Sequence, residues 1–319
     1  MASRFAPLAL VPLLLLAGCA ASPAPASAPS SDAALTIQNC DTSVTFDEAP
    51  QRVVAIKSTS VEMMLALGVG DRIVGTAFTD GPVPDQWADA AAGLTSISDF
   101  MPNEESILEL EPDLVYSGWE SAFSADAAGT REELTSLGIA TYTQPAACRS
   151  TTPPKLTFDE VFAEIREAGA IFRVDAEPLV EAQTELLAGI DPDTRELTAL
   201  WYSSGDDIPY VGAGHGAPQL VLDTVGLANV AAGIDQSWTS LGWEAIVADD
   251  PDVIVLVDAA WNTAASKIAV LEANPATASL SAVKNHRYIT VPFPAGEAGV
   301  RTADAAASVA AQLAELDLP

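Results

Sequence analysis

Glu105-Ser106-Ile107-Leu108-Glu109-Leu110-Glu111-Pro112-Asp113-Leu114-Val115-Tyr116 aligns without a gap on Glu244-Ala245-Ile246-Val247-Ala248-Asp249-Asp250-Pro251-Asp252-Val253-Ile254-Val255. Each stretch reads as a helix stopped by an acidic-Pro-Asp turn and followed by a buried apolar strand. Proline lacks an amide hydrogen and disfavours helix in the residue before it, so it ends the helix and lets the chain extend. Two further pairs fall in the same order. Leu67-Gly68-Val69-Gly70-Asp71-Arg72-Ile73-Val74-Gly75 answers Val225-Gly226-Leu227-Ala228-Asn229-Val230-Ala231-Ala232-Gly233, and Leu134, Leu137 and Tyr142 share their spacing with Leu280, Val283 and Tyr288. One such pair arises by chance in α/β proteins, whereas three in order point to duplication. Tandem arrays need at least about three short repeats to stack, so the duplication implies two similar lobes, with Glu105 and Glu244 at matching places.

Between and around these phrases, apolar strands alternate with helices, the pattern of a mostly parallel sheet. Arg52 to Ile56 reads as the first strand, and Ser58-Thr59-Ser60 offers an N-cap to a helix from Val61 to Leu67. Leu197 to Tyr202, Val253 to Val257 and Tyr288 to Val291 supply strands of the second lobe. Thr157 and Glu160 have capping-box spacing, and Asp175 offers a cap to a second helix. The expected organisation is an N-terminal α/β lobe at 40–155, linking helices at 156–195 and a C-terminal α/β lobe at 196–319. A helical bridge is stiff, so lobe closure should be modest; a large compaction in small-angle scattering on adding ligand would contradict that.

Residues 1–18 read as a signal peptide. Arg4 is the one charge before a leucine-rich run, Leu8 to Leu16, that is shorter than the ~20 residues needed to span a bilayer and suits an export leader. Leu16-Ala17-Gly18-Cys19 resembles the bacterial lipoprotein cleavage box, which implies a lipid on the Cys19 thiol; ordinary cleavage beside an unmodified cysteine is the alternative. Residues 19–39, rich in Ala, Ser and Pro at their start, read as a flexible tether. Cys40 and Cys148 lie in an exported chain, where disulfides persist. One bond between them is the simplest count once Cys19 is lipidated, and two free buried thiols are the alternative.

The chain has 319 residues, 49% of them hydrophobic, and its 44 acids against 14 bases give a formal charge of −30. Such a surface repels nucleic acid and anionic lipid headgroups, so contact with the membrane is expected through the lipid anchor alone. A zinc or manganese site wants several His and carboxylate ligands, which two histidines in the whole chain argue against. There is no Gly-x-Ser-x-Gly elbow, and neither His215 nor His286 has a recognisable nucleophile neighbour. No catalytic residue, metal or cofactor is expected.

Several motifs together resemble the substrate-binding lipoproteins of ABC importers for cobalamin, ferric siderophores and haem. They are Ala49-Pro50-Gln51-Arg52-Val53-Val54-Ala55, Leu65-Ala66-Leu67-Gly68 with its continuation to Gly75, Leu110-Glu111-Pro112-Asp113-Leu114-Val115, and Val211-Gly212-Ala213-Gly214-His215 followed by Gly226-Leu227-Ala228-Asn229-Val230. The resemblance covers nearly everything after residue 40. It implies two α/β lobes joined by a long helix, a ligand cleft between them, and a monomer that docks on a permease dimer with its ATPase. It also implies that Glu105 and Glu244, one per lobe, reach arginines on the two permease subunits. A two-fold permease presents the same patch twice, which is an independent reason for two matched anions. Cys40 to Pro50, Gly118-Trp119-Glu120-Ser121-Ala122-Phe123 and Leu200-Trp201-Tyr202-Ser203-Ser204-Gly205 look like a subgroup proposed to import a deazaflavin cofactor precursor.

In parallel α/β sheets ligands meet the loops after the carboxyl ends of strands. The candidates chosen on that rule are Lys57, Ser58 and Thr59, where a lysine before a helix N-terminus suits an anion; Trp119 and Glu120; Tyr202 and Ser203; Trp238; and Trp261 with Asn262. Aromatic side chains there suit stacking on a flat ligand, and at least two of Trp119, Trp238 and Trp261 are expected to contact it. His215 either lines the cleft or caps the next helix. Arg301 opens the last helix, where a cation opposes the helix dipole, so a paired anion is expected: the ligand, Asp304 or Glu297. Lys57, Arg149 and Arg301 together suggest an anionic ligand. A hydrolytic enzyme on the same scaffold, and an interaction-only lipoprotein, are the competing classes; a hydrolase screen separates the first.

Overall fold

The computed structural model describes residues 1–2, 34–151 and 154–318. The leader beyond Ala2, Cys19 and the tether up to residue 33 lie outside the described residues. Residues 35–39, expected to be the end of the tether, form a strand instead. Leu35–Asn39 (β1) pairs antiparallel with Thr42–Phe46 (β2), because Ile37, Val44 and Phe46 alternate inward to the core. The turn between them carries Cys40, which is disulfide-bonded to Cys148.

The N lobe follows as β3 (Val53–Ile56), α1 (Ser58–Ala66), β4 (Ile73–Ala77), α2 (Ala88–Ala91), β5 (Ser96–Ser98), α3 (Glu104–Leu108), β6 (Leu114–Ser117), α4 (Arg131–Ser136) and β7 (Ala140–Thr143). Its five strands are all parallel, in the order β5-β4-β3-β6-β7. Two linking helices come next, α5 (Phe158–Phe172) and α6 (Glu177–Ala188). The C lobe comprises β8 (Thr198–Ser204), β9 (Tyr210–Gly212), α7 (Ala217–Val225), β10 (Ala228–Asn229), β11 (Trp238–Ser240), α8 (Trp243–Asp249), β12 (Val253–Asp258), α9 (Ala264–Ala273), α10 (Ser281–Lys284), β13 (Tyr288–Pro292) and α11 (Thr302–Glu315). Its sheet runs β11-β9-β8-β12-β13, with β10 also on β8; β9 pairs antiparallel with both β8 and β11, and the other pairs are parallel.

The repeated phrases occupy equivalent places. The strands after the Pro-Asp turns, β6 and β12, pair parallel with the first strand of their own lobe, β3 and β8. Asp113 accepts the amides of Gln51 and Arg52 at 2.7 and 3.0 Å, and Asp252 accepts the amide and hydroxyl of Thr198 at 2.9 and 3.0 Å. Each aspartate thus pins the start of the neighbouring strand. The glycines of the second pair, Gly68 and Gly226, both take a positive φ, 72° and 79°, the left-handed helix exit that glycine adopts at least cost.

Thr157 and Glu160 form the expected capping box on α5. The bridge is two helices, as the residues themselves predict, and not the one long helix that the resemblance implies. Arg173 takes the left-handed conformation and ends α5, and Asp175 accepts the Glu177 amide at 3.0 Å although the N-cap position belongs to Ala176. Val161, Ile165 and Phe172 of α5 enter the N-lobe core, while Gln183 of α6 donates to the Val300 carbonyl at 2.7 Å.

Candidate functional site

Strand β3 is followed by Lys57, which turns to φ 79° and leads straight into α1. Helix α1 begins three residues earlier than expected. Ser58, Thr59 and Ser60 lie in its first turn, and no side chain caps it. Ser60 donates back to the carbonyls of Ile56 and Lys57, and Ser58 accepts the Asp80 amide at 2.8 Å. Residues Ser58 to Leu65 are all buried, so this helix is wedged into the seam between the lobes. Gly118 makes the close approach possible: a Cβ there would lie 2.3 Å from Thr59 Oγ1 and 2.9 Å from Lys57 Cβ.

The Lys57 ammonium is fully buried and bonded to Asp80, which follows β4. Three ring centroids surround it, those of Phe78, Trp119 and Phe293, at 4.0, 3.8 and 4.8 Å from Nζ. Burying an ammonium needs such a partner and such ring faces. The rings belong to a chain of five. Phe100 lies 5.9 Å from Phe78, Phe78 5.5 Å from Trp119, Trp119 6.2 Å from Phe293 and Phe293 5.4 Å from Trp261. Phe100, Phe78 and Trp119 come from loops after N-lobe strands, and Phe293 and Trp261 from loops after C-lobe strands. The two end rings are exposed, Phe100 at 67% and Trp261 at 44%.

Polar contacts stitch the same seam. Trp119 Nε1 donates to Glu297 Oε1 at 2.6 Å, Trp261 Nε1 to Asp80 Oδ1 at 3.5 Å, and the Ala260 amide to the Asp80 carbonyl at 3.0 Å. Arg301 Nη1 lies 3.4 Å from Glu62 Oε1. Burial pushes the Glu62 carboxyl up to about 7, and Arg301 offsets this only in part. Burial likewise carries Glu297 up to about 7 against the pull of the Lys57 charge. Beside the seam is a cavity of about 480 Å³. Asp80, Pro82 and Asp85 line its N-lobe side, and Asp258, Thr263 and Arg301 its C-lobe side.

The residues chosen from sequence separate into two groups. Lys57, Ser58, Thr59, Trp119, Trp261 and Arg301 meet at the seam. Lys57 and Arg301 are not free receptors for an anion, however, because Asp80 and Glu62 already hold them. The anion expected beside Arg301 is therefore Glu62, a residue of the other lobe. Tyr202 and Ser203 are not on a loop: β8 runs through them, and both are buried. Tyr202 packs edge-on to Trp243 and donates to the Gly205 carbonyl at 2.8 Å. Trp238 lies in the edge strand β11 and stacks on Tyr210 at 5.9 Å. Glu120 clamps the segment after Cys148, accepting the amides of Arg149 and Ser150 and the Ser150 hydroxyl. Burial raises its pKa, but these hydrogen bonds outweigh it and hold the carboxyl below its ordinary value. His215 does not cap α7, whose N-cap is Gly216; its Nε2 lies 3.4 Å from Asp235 and its carbonyl accepts the Leu156 amide at 2.8 Å. Asn262 closes a tight turn with Ala259 and offers its carbonyl to Lys267.

Sequence reasoning missed Phe78, Asp80, Phe293 and Glu62, and raised Glu297 only as a partner for Arg301. Phe78, Asp80, Phe293 and Glu297 had a signal, since they follow β4 and β13 and the strand-end rule that selected Trp119 selects them too. Glu62 had none: an acid in a helix reads as solvent-facing, and only the insertion of α1 into the seam buries it.

The family model for periplasmic binding protein matches residues 53–295, and the chain belongs to that family. An uncharacterized ABC transporter substrate-binding lipoprotein of Bacillus subtilis, YvrC, is 28% identical over 259 residues, 78% of this chain and 74% of that protein. A cobalamin-binding protein of Halobacterium salinarum is 28% identical over 274 residues, 79% of this chain and 68% of its own. Among solved structures, that of an ABC-type Fe3+-hydroxamate transport system from Saccharomonospora viridis superposes with a TM-score of 0.75 at 26% identity, covering 87% of this chain and 98% of its own.

Proposed function

We propose that this periplasmic binding protein is the extracytoplasmic substrate-binding lipoprotein of an ABC importer. It captures a cofactor- or chelate-sized ligand between its lobes, performs no reaction on it, and hands it to a permease dimer driven by an ATPase. The observation that carries the reading is the seam, where rings and ion pairs from both lobes converge at strand ends beside a cavity of about 480 Å³. That volume falls in the range of about 300–1,000 Å³ typical of small-molecule sites. Relatives named for cobalamin and for Fe3+-hydroxamate support a corrinoid or a ferric siderophore; a deazaflavin precursor is the third candidate, from the sequence motifs alone.

Glu105 and Glu244 serve as the docking anions in this reading. Each is the second residue of its helix, α3 or α8. Both are exposed, and no hydrogen bond or salt bridge engages either side chain among the described residues. Cys19 carries the lipid that holds the protein, as a monomer, on the outer face of the cytoplasmic membrane.

The test is tryptophan fluorescence of tether-free protein titrated with cobalamin, ferric siderophores and a deazaflavin phosphodiester. Saturable quenching at low micromolar concentration or below is expected for one of them. No response from folded protein would reject this ligand set. Replacing both glutamates, Glu105→Ala with Glu244→Ala, is expected to abolish uptake while leaving ligand binding intact; full uptake would reject the docking role.

A further inference from the structure

We infer that Lys267 is a positioning residue for ligand binding: its ammonium fixes the turn that presents Trp261 to the ligand, so that the ring is set in place before the ligand arrives. The inference rests on the cleft being the ligand site, as proposed above, and adds to it a buried residue of α9.

Trp261 stands in the turn between β12 and α9. Ala259 and Asn262 exchange backbone hydrogen bonds across it at 3.2 and 3.1 Å, and Ala259, Ala260 and Thr263 line the cavity. The Trp261 ring packs edge-on against Phe293 and is left 44% exposed. A half-open indole beside a cavity has apolar surface to offer a ligand. Two sets of contacts hold its turn. One crosses the seam: the Ala260 amide donates to the Asp80 carbonyl at 3.0 Å, and Trp261 Nε1 to Asp80 Oδ1 at 3.5 Å. The other stays within the C lobe: Lys267 Nζ donates to the Val257 carbonyl before the turn and to the Asn262 carbonyl after it, both at 2.7 Å.

Lys267 is 1% exposed, and no carboxylate lies within ion-pair distance of it among the described residues. Burial carries its ammonium down to about 8, against the fields of Asp258 and Asp206. Burying an ammonium without a contacting anion is costly, and a side chain that only filled space under α9 would be apolar, as the buried Leu271 is. What Lys267 holds is the two ends of one loop. Strand β8 pairs with β12 only as far as Leu256, and Lys267 takes the Val257 carbonyl beyond that ladder. The helix that carries the lysine is tied to the same turn, since Asp258 accepts the Ala264 amide at 2.7 Å and Thr263 accepts the Ser266 amide at 3.1 Å. When the lobes part to admit a ligand, the contacts to Asp80 are the ones that break, and those to Lys267 persist. The lysine then keeps Trp261 where the ligand meets it, which spares the complex the entropy of ordering that loop.

Incorporating 5-fluorotryptophan gives a fluorine resonance for each of the six tryptophans, and Trp261→Phe identifies that of residue 261. In ligand-free protein, Lys267→Met is expected to shift or broaden the Trp261 resonance while those of Trp87 and Trp201 stay in place. Binding of cobalamin, a ferric trihydroxamate and a deazaflavin phosphodiester is measured by calorimetry. For the probe that binds, Trp261→Ala and Lys267→Met are each expected to weaken binding about tenfold, and the double variant no more than Trp261→Ala alone. Lys267→Gln, whose stem is too short to reach both carbonyls, takes the place of Lys267→Met if that variant does not fold. An unmoved Trp261 resonance overturns the inference. So does a further loss of affinity when Lys267→Met is added to Trp261→Ala, because the lysine would then act by another route. If Trp261→Ala leaves binding unchanged, the ring does not meet the ligand and the inference falls while the importer reading stands. If none of the three probes binds, the ligand set proposed above falls; a moved Trp261 resonance still supports the positioning role and an unmoved one still rejects it.

Discussion

In the N lobe the central strand β3 stops at Ile56, and Lys57 turns directly into α1; in the C lobe the equivalent strand β8 runs on to Ser204 and returns as the antiparallel β9. The register that pairs Val53 with Leu114 and Ala199 with Val253 makes Lys57 and Ser203 equivalent. One is the ammonium at the centre of the seam, and the other is a buried residue inside a strand. The C lobe reaches the seam instead through the ends of β12 and β13, which deliver Trp261, Phe293, Glu297 and Arg301. A duplicated scaffold therefore places equivalent strands alike without giving them equivalent work. The segment leaving each strand decides its chemistry, and there the copies have diverged.

The sharpest way to break this comparison is to mutate the equivalent pair. Lys57→Met removes one half of a fully buried ion pair and leaves Asp80 uncompensated, so a loss of about 3–5 kcal/mol is expected in denaturant unfolding. Ser203→Ala should cost less than about 1 kcal/mol, since no hydrogen bond engages that hydroxyl among the described residues. Equal losses would mean that the two positions do the same work after all. The disulfide is the next asymmetry. It closes a separation of 108 residues within the N lobe, so Cys40→Ser with Cys148→Ser is expected to cost roughly 2–5 kcal/mol.

Where the copies have not diverged, the effects should match. Asp113→Ala and Asp252→Ala each orphan two donors at the start of the neighbouring strand, and each is expected to cost about 1–3 kcal/mol. A several-fold difference between them would weaken the case for duplicated strand anchors.

The gentlest perturbation is pH. Burial holds Glu62 and Glu297 at about 7 and Glu164 of α5 at about 8, all above the ordinary 4.5. The folded state thus keeps protons that the unfolded chain has released. That stabilisation is complete below about pH 4.5 and is lost as pH rises through about 7 to 8. The melting midpoint is expected to fall between about pH 5 and pH 8. A double variant, Glu62→Gln with Glu297→Gln, should flatten much of the fall. An unchanged slope in that variant would show that these two seam carboxyls do not titrate in this way.

Much of this was legible in the chain. The Glu-Pro-Asp and Asp-Pro-Asp turns located β6 and β12, because proline's missing donor acts locally whatever surrounds it. The capping box at Thr157 and the glycine exits at Gly68 and Gly226 are local in the same sense. Strand ends were harder to read. Leu200-Trp201-Tyr202-Ser203-Ser204-Gly205 contains no residue that forbids continuation, so nothing in it told that β8 passes the point where β3 stops. The strand that opens at Tyr210 was legible and is β9, but the short strands β10 and β11 escaped: two or three residues carry no periodicity, and only pairing, β10 with β8 and β11 with β9, makes them strands.

The sequence by itself determined the two-lobed α/β architecture, since repeated turn chemistry and hydrophobic alternation act over a few residues. Tertiary structure alone decided which charges face each other. Lys57 and Asp80 are 23 residues apart, Glu62 and Arg301 239, and Trp119 and Glu297 178. The consequence of a charge depends on its burial and on its partner, and neither is a property of the local chain. For that reason a lysine and an arginine that suggested an anionic ligand prove to be held already, by Asp80 and Glu62.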